Sequence, residues 1–341
     1  MEDVTLTAPA AGGSNWTEIG RDNTTVFSGS FDGQYKTISN LTINRTIFTD
    51  GTSMATVYGT VGMFGIVGDP SASKRADIKN LGLINVSLSI VNTGNSGGVY
   101  AGGLVGHSAA GNQLTSCYVT GSVSSSVTGN NVSANGAAGG VVGWSYSGSQ
   151  VRNCYSTASV TGNIANSASS GALMRVGGVV GWNRYYAQVQ NCYATGAVVG
   201  TGKTLNVGGV VGLSEDTNVV IRNCVALNTS ITIDAANGNI RRVVGSGGGT
   251  LTGNWGKVGE MKRNNVIINP TNVGTNGFDG GNTVTTTGPN DMNPSLERFW
   301  TQYTAWNNSY NWDTTTIWNA TTAPTLGRPI LRGFTAGKQG E

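Results

Sequence analysis

The sequence predicts an all-β fold, a right-handed parallel β-solenoid of about six irregular repeats with capped ends. Two columns of recurring residues, together with a glycine-rich and charge-poor composition, carry this prediction. Glycine makes up 53 of 341 residues and charged residues make up 11%, whereas charged residues are about 25% of an average globular protein. The chain is 38% hydrophobic with a formal charge of +3, so it can bury a core, which argues against disorder.

The first column is a glycine motif that returns once in each repeat. It reads AGGLVG up to Gly106, AGGVVG up to Gly143, and VGGVVG up to Gly181 and Gly212. Degenerate copies end at Gly65 and Gly245, and the six final glycines are separated by 41, 37, 38, 31 and 33 residues. A period of this length without helical segments is typical of solenoids, whose units bury their apolar faces only by stacking.

The second column follows each glycine motif and centres on four cysteines, Cys117, Cys154, Cys192 and Cys224. Side chains in register point in parallel, so a disulfide torsion near 90° would require backbone movement. We therefore expect buried free thiols. The residue before each cysteine, including Asn153, Asn191 and Asn223, is predicted to form a stacked amide ladder at a corner, where unusual backbone angles are tolerated.

Strand alternation assigns the cysteines to the interior of the solenoid. By the same alternation Tyr118, Tyr155 and Tyr193 form an outward column.

Three segments are expected: residues 1–55 as lead-in and N-terminal cap, 56–256 as the repeat solenoid, and 257–341 as C-terminal rungs and a tryptophan-rich cap. The tail is predicted to cover the exposed end of the solenoid with a short helix near 295–303 and four tryptophans, Trp300, Trp306, Trp312 and Trp318.

At Gly103–Gly106, which reads GLVG, the sequence resembles the GLUG-motif repeats of bacterial, Bacteroidetes-like cell-surface proteins of the adhesin type. The resemblance covers about residues 15 to 256, including a similar entry segment that begins at Trp16, and it departs from the pattern at Val225 and at 241–242. It implies cell-surface adhesion or membership of a large secreted protein, and it implies no shared catalytic residue.

Aromatic and basic residues gather near the glycine motifs of the central repeats. Adjacent rungs would bring Trp144 and Trp182 within stacking range, and aromatic rings with flanking arginines can hold sugar faces. The candidate ligand-binding residues are Trp144, Tyr146, Arg152, Trp182, Arg184, Tyr185 and Tyr186. The alternative, that the tryptophan pair packs against the corner, stays open.

Catalytic groups are sparse in the centre of the sequence. No Asp or Glu occurs from Ile78 to Ser214, so a glycan-cleaving groove across the central repeats is not expected, because such reactions typically use paired carboxylates. Acidic residues lie towards the ends, at Asp22, Asp32, Asp50, Glu215, Asp216, Asp279, Asp291 and Glu297. His107 is the only histidine, and we interpret it as a surface or corner residue.

The sequence thus predicts a non-catalytic, adhesin-like binding module that is secreted or held at the outer cell surface, with any signal or anchor segment outside this chain. We expect a monomer that binds a glycan or a surface protein of a host or another microbe. No metal, cofactor, nucleic acid or membrane insertion is expected. Two alternatives stay open: a polysaccharide-active enzyme that uses the terminal carboxylates, and a passive structural stalk.

Overall fold

A computed structural model gives the structure of the chain. It describes residues 2–47, 58–69, 74–94, 97–129, 135–165, 172–257, 261–283, 294, 299–300, 312–326, 328–335 and 337–339.

The fold is built almost entirely from short strands. In chain order they are β1 (Val4–Thr5), β2 (Ser30–Ser39), β3 (Thr42–Ile47), β4 (Tyr58–Val61), β5 (Phe64–Val67), β6 (Asp77–Asn92), β7 (Gly98–Gly102), β8 (Val105–Ser108), β9 (Gln113–Thr115), β10 (Tyr118–Val127), β11 (Asn135–Gly139), β12 (Val142–Ser145), β13 (Gln150–Arg152), β14 (Tyr155–Ser156), β15 (Ser159–Ile164), β16 (Met174–Gly177), β17 (Val180–Arg184), β18 (Gln188–Gln190), β19 (Tyr193–Ala194), β20 (Val198–Gly208), β21 (Val211–Glu215), β22 (Val220–Arg222), β23 (Val225–Ala226), β24 (Ile231–Arg241), β25 (Val244–Gly247), β26 (Thr250–Thr252), β27 (Trp255–Lys257), β28 (Met261–Arg263), β29 (Val266–Ile268), β30 (Gly281–Thr283), β31 (Trp318–Asn319) and β32 (Ile330–Leu331). A 3₁₀ turn at Ala320–Thr322 leads into one helical turn at Ala323–Leu326.

The strands stack as a parallel β-solenoid, which confirms the predicted fold class. One sheet follows the order β25-β21-β17-β12-β8-β5, one strand from each of six successive coils. The remaining coil strands stack in the same manner, for example β9 on β13 and β13 on β18. β2 and β3 of the lead-in already pair in parallel with β6. Pairing of each coil with the next satisfies the backbone along the whole stack.

The glycine motif marks a tight bend between two strands of each coil. A β-carbon on Gly139 would lie 2.0 Å from the carbonyl oxygen of Val142, and one on Gly140 would lie 2.2 Å from the carbonyl oxygen of Gly178. Because backbone atoms of the same and the neighbouring coil fill this space, only glycine fits at the bend.

The cysteines lie where the alternation predicted, inside the solenoid. Cys117, Cys154, Cys192 and Cys224 are buried free thiols in the main hydrophobic core. The Sγ atom of Cys154 lies 3.1 Å from the carbonyl oxygen of Arg152, and the other three cysteines make the equivalent contact. Burial raises the pKa of the Cys117 and Cys192 thiols well above the usual range, so these thiols stay protonated and act as small apolar core groups.

The residues before the cysteines hold the left-handed backbone angles that a sharp corner requires. The φ angles are 55° at Ser116, 52° at Asn153, and 51° at both Asn191 and Asn223. Asparagine tolerates this region better than other residues with a β-carbon. The amide of Asn191 donates to Oδ1 of Asn153 at 3.3 Å, which forms one step of the predicted ladder.

The described part of the tail packs along the side of the solenoid, whereas the sequence analysis predicted that the tail covers its end. The outward tyrosines Tyr118, Tyr155 and Tyr193, here called the lateral tyrosines, are 0% exposed because the tail covers them. The covering side chains include Trp300, Trp312, Trp318 and Phe334. Of the predicted helix near 295–303, Phe299 and Trp300 are described and are helical, whereas Trp306 lies outside the described residues.

The tail follows the stack from its last coils back to its first. Phe299 packs on Trp255 of the sixth coil, and Phe334 contacts both Tyr118 and Tyr35. Near the chain's end Lys338 pairs with Asp3. The described part of the tail thus covers the side of the stack, because local sequence shows that the tail is apolar but not which surface of the solenoid it covers.

Candidate functional site

Three of the aromatic side chains near the glycine motifs stack in register across adjacent coils. β12 pairs with β8 and β17 so that Trp144 is opposite both His107 and Trp182. The ring centroids of Trp144 and Trp182 are 4.7 Å apart at 11°, and those of His107 and Trp144 are 4.2 Å apart at 6°. The structure thus forms the predicted tryptophan stack and extends it to His107; we call these three residues the aromatic ladder.

The aromatic ladder is packed rather than open. Trp144 is 8% exposed and Trp182 is 6% exposed, since Tyr100 and Leu213 share their cluster and Arg175 lies 3.8 Å above the Trp182 ring. The indole faces are therefore occupied by protein groups. This arrangement matches the open alternative in which the pair packs against the corner, and it gives the neighbouring surface a rigid support.

His107 is also buried, at 8% exposure, which corrects its interpretation as a surface residue. It occupies an outward position of β8, but stacking on Trp144 and contacts with Tyr100 and Tyr146 cover it. Burial lowers the pKa of His107 to about 3. The imidazole is therefore neutral at physiological pH and does not face solvent as a general base would.

The exposed aromatic surface lies directly beside the ladder, in the turn after β17. Tyr185 is 38% exposed and Tyr186 is 60% exposed. Their φ angles are 48° and 59°, which places two consecutive aromatic residues in the left-handed region. Left-handed geometry costs a residue with a β-carbon about 1–2 kcal/mol. The preceding coil has Ser147 and Gly148 at the equivalent positions.

Tyr146 joins the Tyr185–Tyr186 turn to the ladder. Its ring meets Tyr185 edge-on at a centroid distance of 5.0 Å and meets Trp144 at 5.2 Å. The Tyr185–Tyr186 turn thus rests on a continuous aromatic support that reaches into the buried stack.

One arginine and two carboxylates surround the same turn. Arg184 lies 3.5 Å from Glu215 and 3.6 Å from Asp216, and its guanidinium is 4.5 Å from the centre of the Tyr185 ring. Glu215 also accepts a hydrogen bond from Nε1 of Trp182 at 2.8 Å, and Asp216 accepts one from the backbone N–H of Tyr185 at 3.2 Å. These contacts fix the orientation of the turn.

The GLUG motif model matches residues 134–161 and 172–199. Two of the coils carry GLUG motifs. Every residue of the predicted ligand-binding set lies within these two GLUG coils, and the motif glycines Gly143 and Gly181 form their bends. The family model thus confirms the resemblance seen at the glycine motif.

One solved structure resembles the whole chain. It is a crystal structure from Bacteroides ovatus of a protein provisionally named immunoglobulin A1 protease, with a TM-score of 0.63 and 23% sequence identity, and the match covers 98% of this chain and 85% of that one. At this identity the likeness shows the fold. No curated protein sequence is similar enough to this chain to count as a match.

Arg152 lies away from the aromatic ladder of the GLUG coils. It ends β13, in register with Thr115 and Gln190 on the strands next to the corner asparagines. The structure therefore brings together six of the seven predicted ligand-binding residues and places Arg152 on another strand column.

The carboxylates towards the chain's ends hold turns and junctions. Hydrogen bonds from Thr24 lower the pKa of Asp22 to about 2, and Asp32 accepts from the backbone of Gln34. Asp279 is buried and accepts from backbone N–H groups of Arg242 and Asn272. Asp50, Asp291 and Glu297 lie outside the described residues.

Across the described ranges, no group of three or more His, Cys, Asp and Glu is placed to hold a metal ion, and no helix is long and apolar enough to span a membrane.

Sequence reasoning missed two features of the GLUG coils. It did not show that Tyr185 and Tyr186 have an unusual backbone conformation while their rings are exposed. Alignment of the repeats could have drawn attention to this pair, because Ser147 and Gly148 stand at the same positions in the preceding repeat. It also did not reveal the buried position of Arg175, whose guanidinium donates to the carbonyl of Leu173 at 3.0 Å. Burial lowers the pKa of Arg175 to about 10, so it remains charged beside Trp182.

Proposed function

We propose that the chain is a non-catalytic, adhesin-like binding module that acts outside the cell or at its outer surface, and that it binds glycans through the Tyr185–Tyr186 turn. A surface protein of a host or another microbe is the alternative ligand. One observation carries the proposal: two exposed tyrosines occupy a strained backbone conformation where the preceding coil has serine and glycine. Strain of this kind often accompanies function.

The chemistry of the turn suits a sugar or a polar protein surface. Tyrosine offers an apolar ring face and a hydroxyl, and it loses little conformational entropy on binding. Arg184, Glu215 and Asp216 lie around the rings and supply both hydrogen-bond donors and acceptors. The packed ladder below keeps the turn in place, which reduces the entropic cost of binding.

A glycan and mucin array probed with the intact chain tests the proposal. The key variant is Tyr185→Ser/Tyr186→Gly, which gives the turn the sequence of the preceding coil and so preserves the fold. Val266→Ser/Ile267→Ser is the matched control, because it removes two apolar side chains that are 65% and 66% exposed elsewhere. We expect wild type and control to give equal signals and the key variant to give a signal about ten-fold weaker. Equal binding by all three would reject the turn as the site.

Peptide-bond cleavage is a second candidate, suggested by the name of the Bacteroides ovatus protein. The single histidine is buried in the aromatic ladder and the four cysteines are buried in the core, which favours binding over nucleophilic catalysis by these groups. Incubation with immunoglobulin A1, followed by mass spectrometry of the fragments, separates the two functions. New fragments that depend on the chain would support the enzyme, and an intact immunoglobulin would support the binding module.

A further inference from the structure

A polar pocket lies far along the coil from the Tyr185–Tyr186 turn. It has a volume of about 550 Å³ and lies at the end of β15 and beside the middle of β20 and β24. Its lining includes Asn163, Ile164, Thr201, Gly202, Asp234 and Asn264. Pockets of about 300–1,000 Å³ are typical of small-molecule sites.

Gly202 allows the backbone of neighbouring coils to approach closely beside this pocket. Its φ angle is 116°, and a β-carbon there would lie 1.7 Å from the carbonyl oxygen of Ile164. Ala235 occupies the register position of Gly202 on the next coil. Glycine and alanine at these two positions therefore add no bulky side chain to the described lining of the pocket.

The polar side chains that line the pocket can both donate hydrogen bonds to a ligand and accept them from it. Thr201 donates its hydroxyl proton to Oδ1 of Asn163 at 2.9 Å, and Oδ1 of Asn264 accepts from the backbone N–H of Ala235 at 3.0 Å. Both amides therefore keep their NH₂ groups for a ligand. Among the described residues, no hydrogen bond or ion pair engages the carboxylate of exposed Asp234, in contrast to Glu215 and Asp216.

This set of groups fits a sugar ring. A carboxylate accepts from two adjacent hydroxyls, and amide NH₂ groups donate to hydroxyl oxygens. The described lining contains a carboxylate and no lysine or arginine, so an anionic ligand would meet repulsion. The carboxylate thus disfavours an anion and the amide NH₂ donors beside it disfavour a cation, which leaves a neutral hydroxylated ligand.

The outer face beside the pocket offers a path for a longer chain. Ser89, Ser124 and Thr161 stand in register on successive coils, and Thr232 continues the row beyond Val199. These side chains are partly exposed, and hydroxyl groups about 4.8 Å apart can bond to successive polar groups of a ligand.

We infer that this pocket is a second binding site, which takes one neutral hexose or N-acetylhexosamine residue of a glycan, with Asp234 as the main acceptor. It is independent of the Tyr185–Tyr186 turn, because no lining residue belongs to that turn. The two sites can therefore be lost separately.

Saturation-transfer NMR with the intact chain tests the site directly. The probes are glucose, galactose, mannose, N-acetylglucosamine and N-acetylgalactosamine, each at millimolar concentration. We expect at least one probe to give a signal that falls five-fold or more in Asp234→Asn and also falls in Thr201→Val. Both substitutions preserve side-chain shape, and circular dichroism checks the fold.

Two further variants separate this site from the turn. The part of the sugar signal that Asp234→Asn removes should remain in Tyr185→Ser/Tyr186→Gly, and the whole signal should be unchanged in Asp22→Asn, a control at an exposed carboxylate of the lead-in. Loss of the Asp234-dependent part in the turn variant, or the absence of any fall in Asp234→Asn, would overturn the inference. Calorimetry with Ca²⁺ alone provides the last outcome: binding that Asp234→Asn abolishes would identify a cation site and overturn the sugar assignment.

Discussion

At the scale of single side chains, the Tyr185–Tyr186 turn differs from the equivalent turn of the preceding coil in which residues hold the left-handed backbone positions. Tyr185 and Tyr186 adopt left-handed φ angles while much of each ring remains exposed. Elsewhere in the solenoid asparagine, serine or glycine holds most such positions, as at Asn153, Ser147 and Gly148. Burial does not explain this choice of tyrosine, and the proposed ligand contact at the turn would.

Substitution of Tyr186 by glycine and by alanine measures the backbone strain. We expect Tyr186→Gly to be more stable than Tyr186→Ala by about 1 kcal/mol, because glycine adopts positive φ without a β-carbon clash. Urea denaturation of both variants gives the difference in the free energy of unfolding. Equal stabilities would show that the turn relaxes without a β-carbon penalty.

The neutral, buried His107 makes stability depend on pH. Its folded pKa is about 3, below the usual value near 6.5, so the unfolded chain takes up the proton first as pH falls. Its contribution is fully present above the unfolded pKa and is lost as pH falls towards 3. We expect a loss of about 3 kcal/mol between pH 7 and pH 4 from this residue.

Denaturation at pH 7 and pH 4, with wild type and His107→Phe, checks this prediction. Phenylalanine retains a ring beside Trp144 and does not titrate, so the variant should lose correspondingly less stability on acidification. A variant with the same pH dependence as wild type would show that other groups cause it.

At the scale of elements, the glycine bends decide whether coils can stack. A β-carbon on Gly181 would lie 2.7 Å from the carbonyl oxygen of Gly143 and 2.8 Å from that of Ala138. Both are backbone atoms of the neighbouring coil, which cannot rotate away. The motif position must therefore be glycine, because any β-carbon there would prevent the neighbouring coils from stacking at the bend.

Gly181→Ala should therefore be much more damaging than Gly148→Ala. We expect a loss of about 3 kcal/mol at Gly181 from overpacking. At Gly148 we expect about 1 kcal/mol, from positive φ alone, because the nearest atom to its β-carbon would be 4.0 Å away. Thermal and urea unfolding of the two variants gives the comparison. Similar losses would contradict the steric account of the bend.

At the scale of the whole molecule, the tail and the solenoid form one hydrophobic unit. The hydroxyl of Tyr193 donates to the carbonyl of Pro329 at 2.7 Å, and buried Arg328 lies 3.1 Å from the same hydroxyl. Trp318 is fully buried against the lateral tyrosines. The tail therefore covers a side of the stack that would otherwise expose a row of aromatic rings to water.

Trp318→Ala tests the role of this cover. Loss of a buried tryptophan typically costs about 3–5 kcal/mol, and we expect a loss in that range together with increased binding of a hydrophobic dye to the uncovered tyrosines. Tyr186→Ala is the control, since it removes an exposed ring. A change at Trp318 of less than about 0.5 kcal/mol would show that the tail is not needed to cover the solenoid.

The fold could be predicted from the sequence because the same glycine, cysteine and asparagine positions recur in successive repeats. The glycine bends, the cysteine interior and the left-handed asparagine corners all follow from periodicity and local sterics. The position of the tail and the burial of His107 could not be predicted in this way, and packing of Trp144 against the corner was one of two open alternatives. They depend on contacts between segments far apart in sequence, such as Tyr118 with Phe334, and a single sequence does not record them.

The affinity of the intact chain for the strongest ligand from the glycan and mucin array is the most direct test of the central claim. Biolayer interferometry would compare wild type, Tyr185→Ser/Tyr186→Gly and Val266→Ser/Ile267→Ser, with the recovered ligand checked for cleavage. We expect the tyrosine variant to bind about ten-fold or more weakly, the control to match wild type, and the ligand to be recovered intact. Unchanged affinity in the tyrosine variant, or a cleaved ligand, would contradict the account.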